Sequence, residues 1–333
     1  MQRRNLLLGT ASAAAGLAQL RQAHAQAPAF PSRPIRLVVP FAPGGAVDIT
    51  GRVLAERLPS ILGQTVTVDN RGGAGGNLGG DAVAKAEKDG HTLLLGTVTM
   101  FAANKFLYRR SMSYDPIRDF APVSRVATGT VLLVVNSQKP WRTFAELIDY
   151  ARQNPGKVTM GSSGTGTVSH LTISAVARAA GVDITHVPYR GGGPAITDLL
   201  SGSIDLMFDV MPALMPHVRE GRFRPLAVGS AERVDYVPGL EQVPGMRELL
   251  PNSTIDMQSW YAVTAPAGVA PDRVQRLHDA VVEVVRTPEY RAKLEPLGFK
   301  PVWDETPAAF GAYMLEQEQL WRRIVEESGA TLD

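Results

Sequence analysis

Residues 158–209 read VTMGSSGTGTVSHLTISAVARAAGVDITHVPYRGGGPAITDLLSGSIDLMFD, and their punctuation leaves the chain few folds to choose from. A short β-leaning run, Val158–Met160, gives way to Gly161–Gly166, which is too small and glycine-rich for regular structure. The spacing then predicts a helix from about Val168 to Ala180, with Thr167 as N-cap and Gly181 just past its end. Asp183–Val187 reads as a strand and Tyr189–Gly193 as a second glycine loop. Pro194 suits the first turn of a further helix, Gly202 ends it, and Ile204–Phe208 is a third strand. Strands alternating with helices imply parallel pairing through crossover helices. Ligands of such sheets sit at the carboxyl ends of the strands, where loops lead into helix N-termini. Those termini present free N–H groups and partial positive charge, which suit an anion, and glycine lets the backbone come close. Taken singly, each loop also reads as an ordinary βα turn.

The same grammar opens the chain. Ile35–Val39 is a strand, Pro40–Gly45 (PFAPGG) a loop, and Ala46 to about Leu62 a helix with Val47, Leu54, Leu58 and Ile61 on one side. Asp48, in its first turn, either complements the helix dipole, accepts a donor from a ligand or fixes the loop. Thr65–Asp69 is the next strand, followed by Asn70–Asn77 (NRGGAGGN) and a helical pattern over Leu78–Ala86. Counted from Gly73, the last glycine of G-x-G-x-x-G would fall on Leu78, and the G-K-[ST] ending of a P-loop is absent, so nucleotides are disfavoured. His91–Gly96 is a strand, and Thr97–Thr99 at its end offer hydroxyls.

Two extended runs, near 123–135 and 254–264, bracket the middle block. They predict an α/β fold of two lobes. Residues 28–126 and 254–333 form a discontinuous first lobe, residues 127–253 the second, and closure about the crossings encloses a ligand between them. A last helix runs from Thr306-Pro307 to about Glu327, packed through Phe310, Tyr313, Met314, Leu320 and Trp321.

Residues 1–27 read as a cleaved signal peptide. Arg3-Arg4 before Leu6–Leu8 fits a twin-arginine signal as well as an ordinary secretory leader, and Ala23-His24-Ala25 and Ala25-Gln26-Ala27 are small-x-small cleavage sites. The expected compartment is the periplasm. Beyond the leader no apolar run is long enough to span a membrane. With Arg3, Arg4 and Arg21 removed, basic and acidic residues nearly balance, and no basic run points to nucleic acid. The chain has no cysteine, so disulfides, thiolate metal sites and a cysteine nucleophile are excluded.

None of the six histidines has metal-ligand spacing, and no cofactor or metal is expected. A nucleophile elbow around Ser163 would need glycine at position 165, where Thr165 stands. Ser162, Ser163, Thr165 and Thr167 therefore read as hydrogen-bond donors to a ligand, and His170 as a packing or loop-bracing residue. Tyr189-Arg190 either place an aromatic face and a cation at the cleft or sit on the surface.

Six segments carry a resemblance: RPIRLVVPFAPGGAVDITGR, VDNRGGAGGN, SYDPIRDFAPVSRVA, MGSSGTGTVSHL, GVDITHVPYRGGGPAITDLLSGSIDLMFD and TPAAFGAYMLEQEQLW. In this order, over essentially the whole mature chain, they resemble the Bug-type extracytoplasmic receptors of the tripartite tricarboxylate transporter family. The resemblance implies a two-lobed periplasmic-binding-protein fold, of the Venus-flytrap, type II-like kind. It also implies a small carboxylate-bearing ligand held by backbone amides, hydroxyls and water. Carried over, the first-lobe contacts are Phe41, Pro43, Gly44, Gly45 and Asp48; Asn70, Gly73, Ala74, Gly75 and Asn77; Thr97 and Thr99. The second-lobe contacts are Ser162, Ser163, Gly164, Thr165, Gly166 and His170; Tyr189, Arg190 and Gly191; and Asp209. Arg71-Gly72 departs from the family, which commonly has a proline in this loop, and Thr97–Phe101 is a variable segment. Partners implied are the carboxylate ligand and the membrane subunits of such a transporter, with the receptor itself a monomer. No catalytic residue is expected. The alternative is a hydrolase-like periplasmic enzyme using Ser163, His170 and Asp209. Glycines 45 and 164 are expected where a side chain would block backbone approach or a positive φ.

Overall fold

The structure, a computed structural model, describes residues 30–189, 191–253, 255–328 and 332. The expected signal peptide and Arg190 lie outside these described residues. The chain divides into residues 1–32 and 33–333, and the account below concerns the second unit.

Strand β1 (Ile35–Val39) pairs in parallel with β2 (Val66–Asn70) and β3 (Thr92–Thr97). Helices α1 (Ala46–Leu62) and α2 (Asn77–Ala84) make the crossovers. Leu37 lies opposite both Val68 and Leu93. β1 and β3 are almost wholly buried, as expected for parallel strands covered on both faces. After β3 the chain forms a π-helical turn, Thr99–Ala103, and a short helix α3 (Asn104–Leu107).

Strand β4 runs from Phe120 to Asn136 and ties the molecule together. Residues 120–130 pair with β9 (Gln258–Pro266), which itself borders β3. Residues 131–136 pair instead with β7 (Leu206–Val210) and β8 (Phe223–Val228). Beyond β7 lie β5 (Thr159–Ser162) and β6 (Thr185–Pro188), again parallel. The sheet order is β2-β1-β3-β9-β4-β7-β5-β6, and β10 (Phe299–Pro301) joins the early part of β4. Parallel pairing therefore holds within each half. The two crossing runs are antiparallel to their neighbours, because one leaves the first half and the other returns to it. Along β4, Val131, Leu133 and Val135 enter one core cluster while Leu132 and Val134 enter another, the period-2 signature of a strand buried on both faces.

The helices of the second half are α4 (Phe144–Gln153), α5 (Val168–Ala180), α6 (Gly192–Ser201), α7 (Met211–Arg219) and the short α8 (Met246–Leu249). α9 (Pro271–Val285), α10 (Pro288–Leu294) and α11 (Pro307–Ser328) complete the first. Thr143 caps α4, its hydroxyl accepting the amide of Glu146 at 3.2 Å, and Glu146 Oε2 accepts the amide of Arg142 at 2.6 Å. Thr143→Ala is expected to cost about 1 kcal/mol in a chemical unfolding curve, with no change in circular dichroism; an unchanged midpoint would show that water replaces the cap.

α11 buries Phe310, Met314, Trp321 and Val325 at helical spacing, whereas Leu320 points off this stripe and is 39% exposed. Trp260 of β9 anchors it, stacked on Phe101 and edge-on to Phe310 and Tyr313. Through this helix the first half packs on α5 of the second.

Candidate ligand-binding site

In the first half the carboxyl ends of β1 and β2 place two glycine loops side by side. A Cβ on Gly72 would lie 3.5 Å from the Ala42 amide nitrogen. Asp48 organises them. Its carboxylate accepts from the Gly44 amide, Arg52 Nε and Asn70 Nδ2, each at 2.9 Å, while Asn70 Nδ2 also reaches the Phe41 carbonyl at 3.0 Å. Burial works against the charge of Asp48, but the donors from Arg52, Gly44 and Asn70 prevail and hold its carboxyl below the ordinary range. Of the three roles open to Asp48 in the sequence, the geometry is that of fixing the loop.

The second loop runs through Gly73, Ala74, Gly75 and Gly76 with all four φ angles positive, including Ala74 at 48°. Such a run needs glycine nearly throughout. Asn77 closes it, its Oδ1 accepting from Asn104 Nδ2 at 2.7 Å and from the Tyr114 hydroxyl at 3.1 Å. Tyr108 lies against this loop, where a Cβ on Gly75 would meet its hydroxyl at 2.8 Å, and with Tyr114 it also lines an open surface pocket of about 350 Å³. Thr97 and Thr99 are buried, and their hydroxyls bond each other at 2.9 Å.

In the second half the loop after β5 is wired from beneath. Ser162, fully buried, bonds His186 Nε2 at 2.6 Å and accepts the Gly164 amide at 3.2 Å. The Gly166 amide donates to His170 Nδ1 at 3.1 Å. Thr167 caps α5 and donates its hydroxyl to the Gly164 carbonyl. Ser163 donates to Asp209 Oδ2, and Asp209 Oδ1 accepts the Val210 amide at 2.7 Å. Burial pushes the Asp209 carboxyl up to about 6, which the Ser163 and Val210 donors only partly oppose. The second glycine loop follows β6. Tyr189 packs on the core and its hydroxyl donates to Asp198 Oδ2 of α6 at 2.6 Å, so its polar tip is engaged within the lobe. Gly191 sits at φ 122° with open space around it.

The candidate residues thus gather as two loop pairs, one at each half's strand ends. A Cβ on Gly166 would meet Leu107, at the end of α3, at 2.7 Å. The loop after β5 therefore lies against the first half. Of the two glycines singled out by sequence, Gly164 is at φ 133°, but Gly45 is at φ −80° and ψ 169°, ordinary extended backbone; the positive φ falls at Gly44.

The helix starts divide by chemistry. α4, α5 and α10 begin at threonines whose hydroxyls cap them. α1, α2 and α6 begin at Gly45, Gly76 and Gly191 with no side-chain cap, as do α3, α7, α8 and α9 at their own starts, but α1, α2 and α6 are the ones that open from candidate glycine loops. At α2 the loop itself takes the first amides, Asn77 and Leu78 donating to the Ala74 and Gly73 carbonyls, whereas at α1 and α6 the first-turn amides find no acceptor among the described residues. Among the described residues, the guanidinium groups beside the first-half loops are occupied: Arg52 by Asp48 and Arg71 by Asp69.

Ser163 contacts Asp209 directly, and His170 Nδ1 is engaged by a loop amide, so these three residues do not form a relay. Sequence reasoning missed His186, Arg52, Asn104 and Tyr114. Only Arg52, four residues after Asp48 on a helix, left a local signal.

The family described as "Tripartite tricarboxylate transporter family receptor" matches residues 50–330. Protein BugT of Bordetella pertussis is 35% identical over 332 residues, covering 100% of this chain and 99% of that one. Among solved structures, R. palustris Rpa4515 with adipate is 35% identical with a TM-score of 0.85, covering 91% of this chain and 100% of that one. The periplasmic binding protein BugD is 31% identical, with a TM-score of 0.82 over 91% of this chain and 99% of that one. MatC of Rhodopseudomonas palustris with bound malate is 31% identical, with a TM-score of 0.81 over 89% of this chain and 100% of that one. The fold is that of two-lobed periplasmic binding proteins, and the chain belongs to the Bug-type receptors of the tripartite tricarboxylate transporter family.

Proposed function

We propose that this receptor captures a small dicarboxylate in the cleft between its lobes and presents it to the membrane subunits of a tripartite tricarboxylate transporter. The observation that carries the reading is that α1 and α6, one in each half, open from candidate glycine loops with no acceptor for their first-turn amides among the described residues. Each such start contributes about 0.3–1 kcal/mol toward an anion, and up to ~2 when partly buried. One open start per lobe, α1 and α6, matches a ligand with a carboxylate at each end. The relatives with adipate and with malate supply the size range of the ligand. The proposed contacts are those carried over by resemblance, with Asp48, Ser162, His170, Tyr189, Thr97 and Thr99 serving their loops rather than the ligand. Binding without turnover is supported by the missing relay at Ser163.

The lobes are proposed as residues 28–126 with 254–333, and 127–253, with the monomer as the working unit. The switch of pairing partners falls a few residues inside those bounds, at Thr130–Val131 and Met257, and we place the hinge there: Met257 donates its amide to the Gly229 carbonyl and accepts from the Thr130 hydroxyl with its own carbonyl. A periplasmic site of action follows the family, and among the described residues no helix is long and apolar enough to cross a membrane.

A thermal-shift screen of C4–C6 dicarboxylates, malate and adipate included, against mono- and tricarboxylates tests this. A dicarboxylate at about 100 times its Kd should add about 2.7 kcal/mol of stability. Calorimetry should give one site, and NMR should find the acid unconsumed. No response to any dicarboxylate, or conversion of the acid, would sink the reading.

A further inference from the structure

Within the loop after β5 the amides alternate in their use. Those of Gly164 and Gly166 are engaged by protein acceptors, Ser162 Oγ and His170 Nδ1. Those of Ser163 and Thr165 donate to no group among the described residues. Behind the engaged amides stand two imidazoles, stacked with centroids 4.0 Å apart and planes 11° apart. His186 comes from β6 and holds Ser162 at 2.6 Å; His170 comes from the first turn of α5 and holds Gly166 itself.

We infer, on the dicarboxylate-capture reading above, that His170 and His186 are positioning residues that pin the Gly164 and Gly166 amides and thereby present those of Ser163 and Thr165 to a ligand carboxylate. The loop after β5 contains Gly164 and Gly166, both at positive φ, and so has little conformational preference of its own. A nest of amides that is disordered in the free protein must be ordered by every ligand that binds; one held from behind is ordered already. The two histidines do this from opposite flanks, strand and helix, and their contact with each other locks the flanks together. To accept from Gly166, His170 must be unprotonated at Nδ1, and two imidazolium rings would repel at this spacing. Burial favours the neutral form of both: it lowers His170, and together with His170 it pushes His186 down to about 4.

Amide hydrogen exchange of ligand-free protein, resolved by NMR, tests the wiring, and titration with adipate and malate tests its consequence. His170→Phe and His186→Phe keep a ring for the stack and lose the nitrogen. His170→Asn returns an acceptor near Nδ1, and His186→Gln a polar group near Nε2. The first should speed exchange at Gly166 and the second at Gly164, each roughly five- to tenfold, as loss of one hydrogen bond implies. The affinity for whichever acid binds should fall by about tenfold in both phenylalanine variants and return to within about twofold in His170→Asn and His186→Gln. Ser162→Ala, the smallest change, should loosen Gly164 and spare Gly166, and it carries the test if a phenylalanine variant does not fold. Phenylalanine variants with wild-type exchange would overturn the inference. So would asparagine and glutamine variants as damaged as the phenylalanine ones, since the rings would then matter only as packing. Failure of wild-type protein to bind either acid would count against the dicarboxylate reading, and the exchange pattern would still decide this one.

Discussion

Gly164→Val is expected to leave the receptor folded and to weaken ligand binding by more than ~100-fold, or about 2.7 kcal/mol. Gly164 sits at φ 133°, a region closed to β-branched residues, and its absent Cβ would lie 3.2 Å from the Tyr189 carbonyl oxygen. That carbonyl begins the neighbouring glycine loop, so a side chain here displaces both second-lobe loops at once. The sheet does not depend on the residue, because β5 ends at Ser162. Gly45→Val, by contrast, meets only the Ala42 carbonyl at 3.6 Å from its Cβ and needs no change of φ. Its effect is confined to what its methyl groups do to the mouth of the site. Calorimetric titration of both variants, each checked by circular dichroism, gives the comparison. A folded Gly164→Val that binds at wild-type affinity would show that the loop after β5 does not hold the ligand.

How much of this is legible in the sequence follows from how local each signal is. Helices Ala46–Leu62 and Val168–Ala180 have the expected limits because their punctuation is glycine and threonine within the chain itself. The three-residue β10 leaves no mark in the sequence because it exists by pairing with residues 127–129, and the four-residue α8, although Glu248 accepts the Gly245 amide at 3.2 Å, is too short to show a helical period. The crossing at 123–135 reads as extended, but its sequence does not show that one strand serves two sheet halves, since an apolar run looks the same whichever neighbour it pairs with. The glycine loops are visible as glycine. Their braces are not: His186 is 24 residues from Ser162, and Asn104 and Tyr114 are 27 and 37 from Asn77. A polar residue that is bonded in the fold looks, in sequence, like one that is free for a ligand. Asp48, Tyr189 and the Thr97–Thr99 pair all share that ambiguity.

Asp209 is a further polar residue of the second half, and its burial makes a stability prediction with a definite sign. Burial pushes its carboxyl up to about 6 in the folded protein against 3.8 for the free group, a rise that the donors Ser163 and Val210 only partly oppose. Between those values the folded state holds a proton that the unfolded state has released, so stability falls as pH rises through the interval. Below about pH 4 both states are protonated and nothing is lost; above about pH 6 the cost is complete, of order 3 kcal/mol at about 1.36 per unit. An asparagine in its place would carry no such charge, while its carbonyl oxygen still accepts from Val210 or Ser163 and its amide donates to the Ser163 hydroxyl. Asp209→Asn is therefore expected to be more stable than wild type by about 1–3 kcal/mol at pH 7.5 and nearly equal to it at pH 4, read from urea unfolding at both pH values. A variant destabilised equally at both would mean that the hydrogen-bond geometry, and not the buried charge, dominates at this position. Asp209 Oδ2 lies 3.2 Å from where a Cβ of Gly192 would be, at the uncapped start of α6. A destabilising carboxylate kept at the base of a helix start that is itself left open is what a binding site, rather than a packing core, would retain.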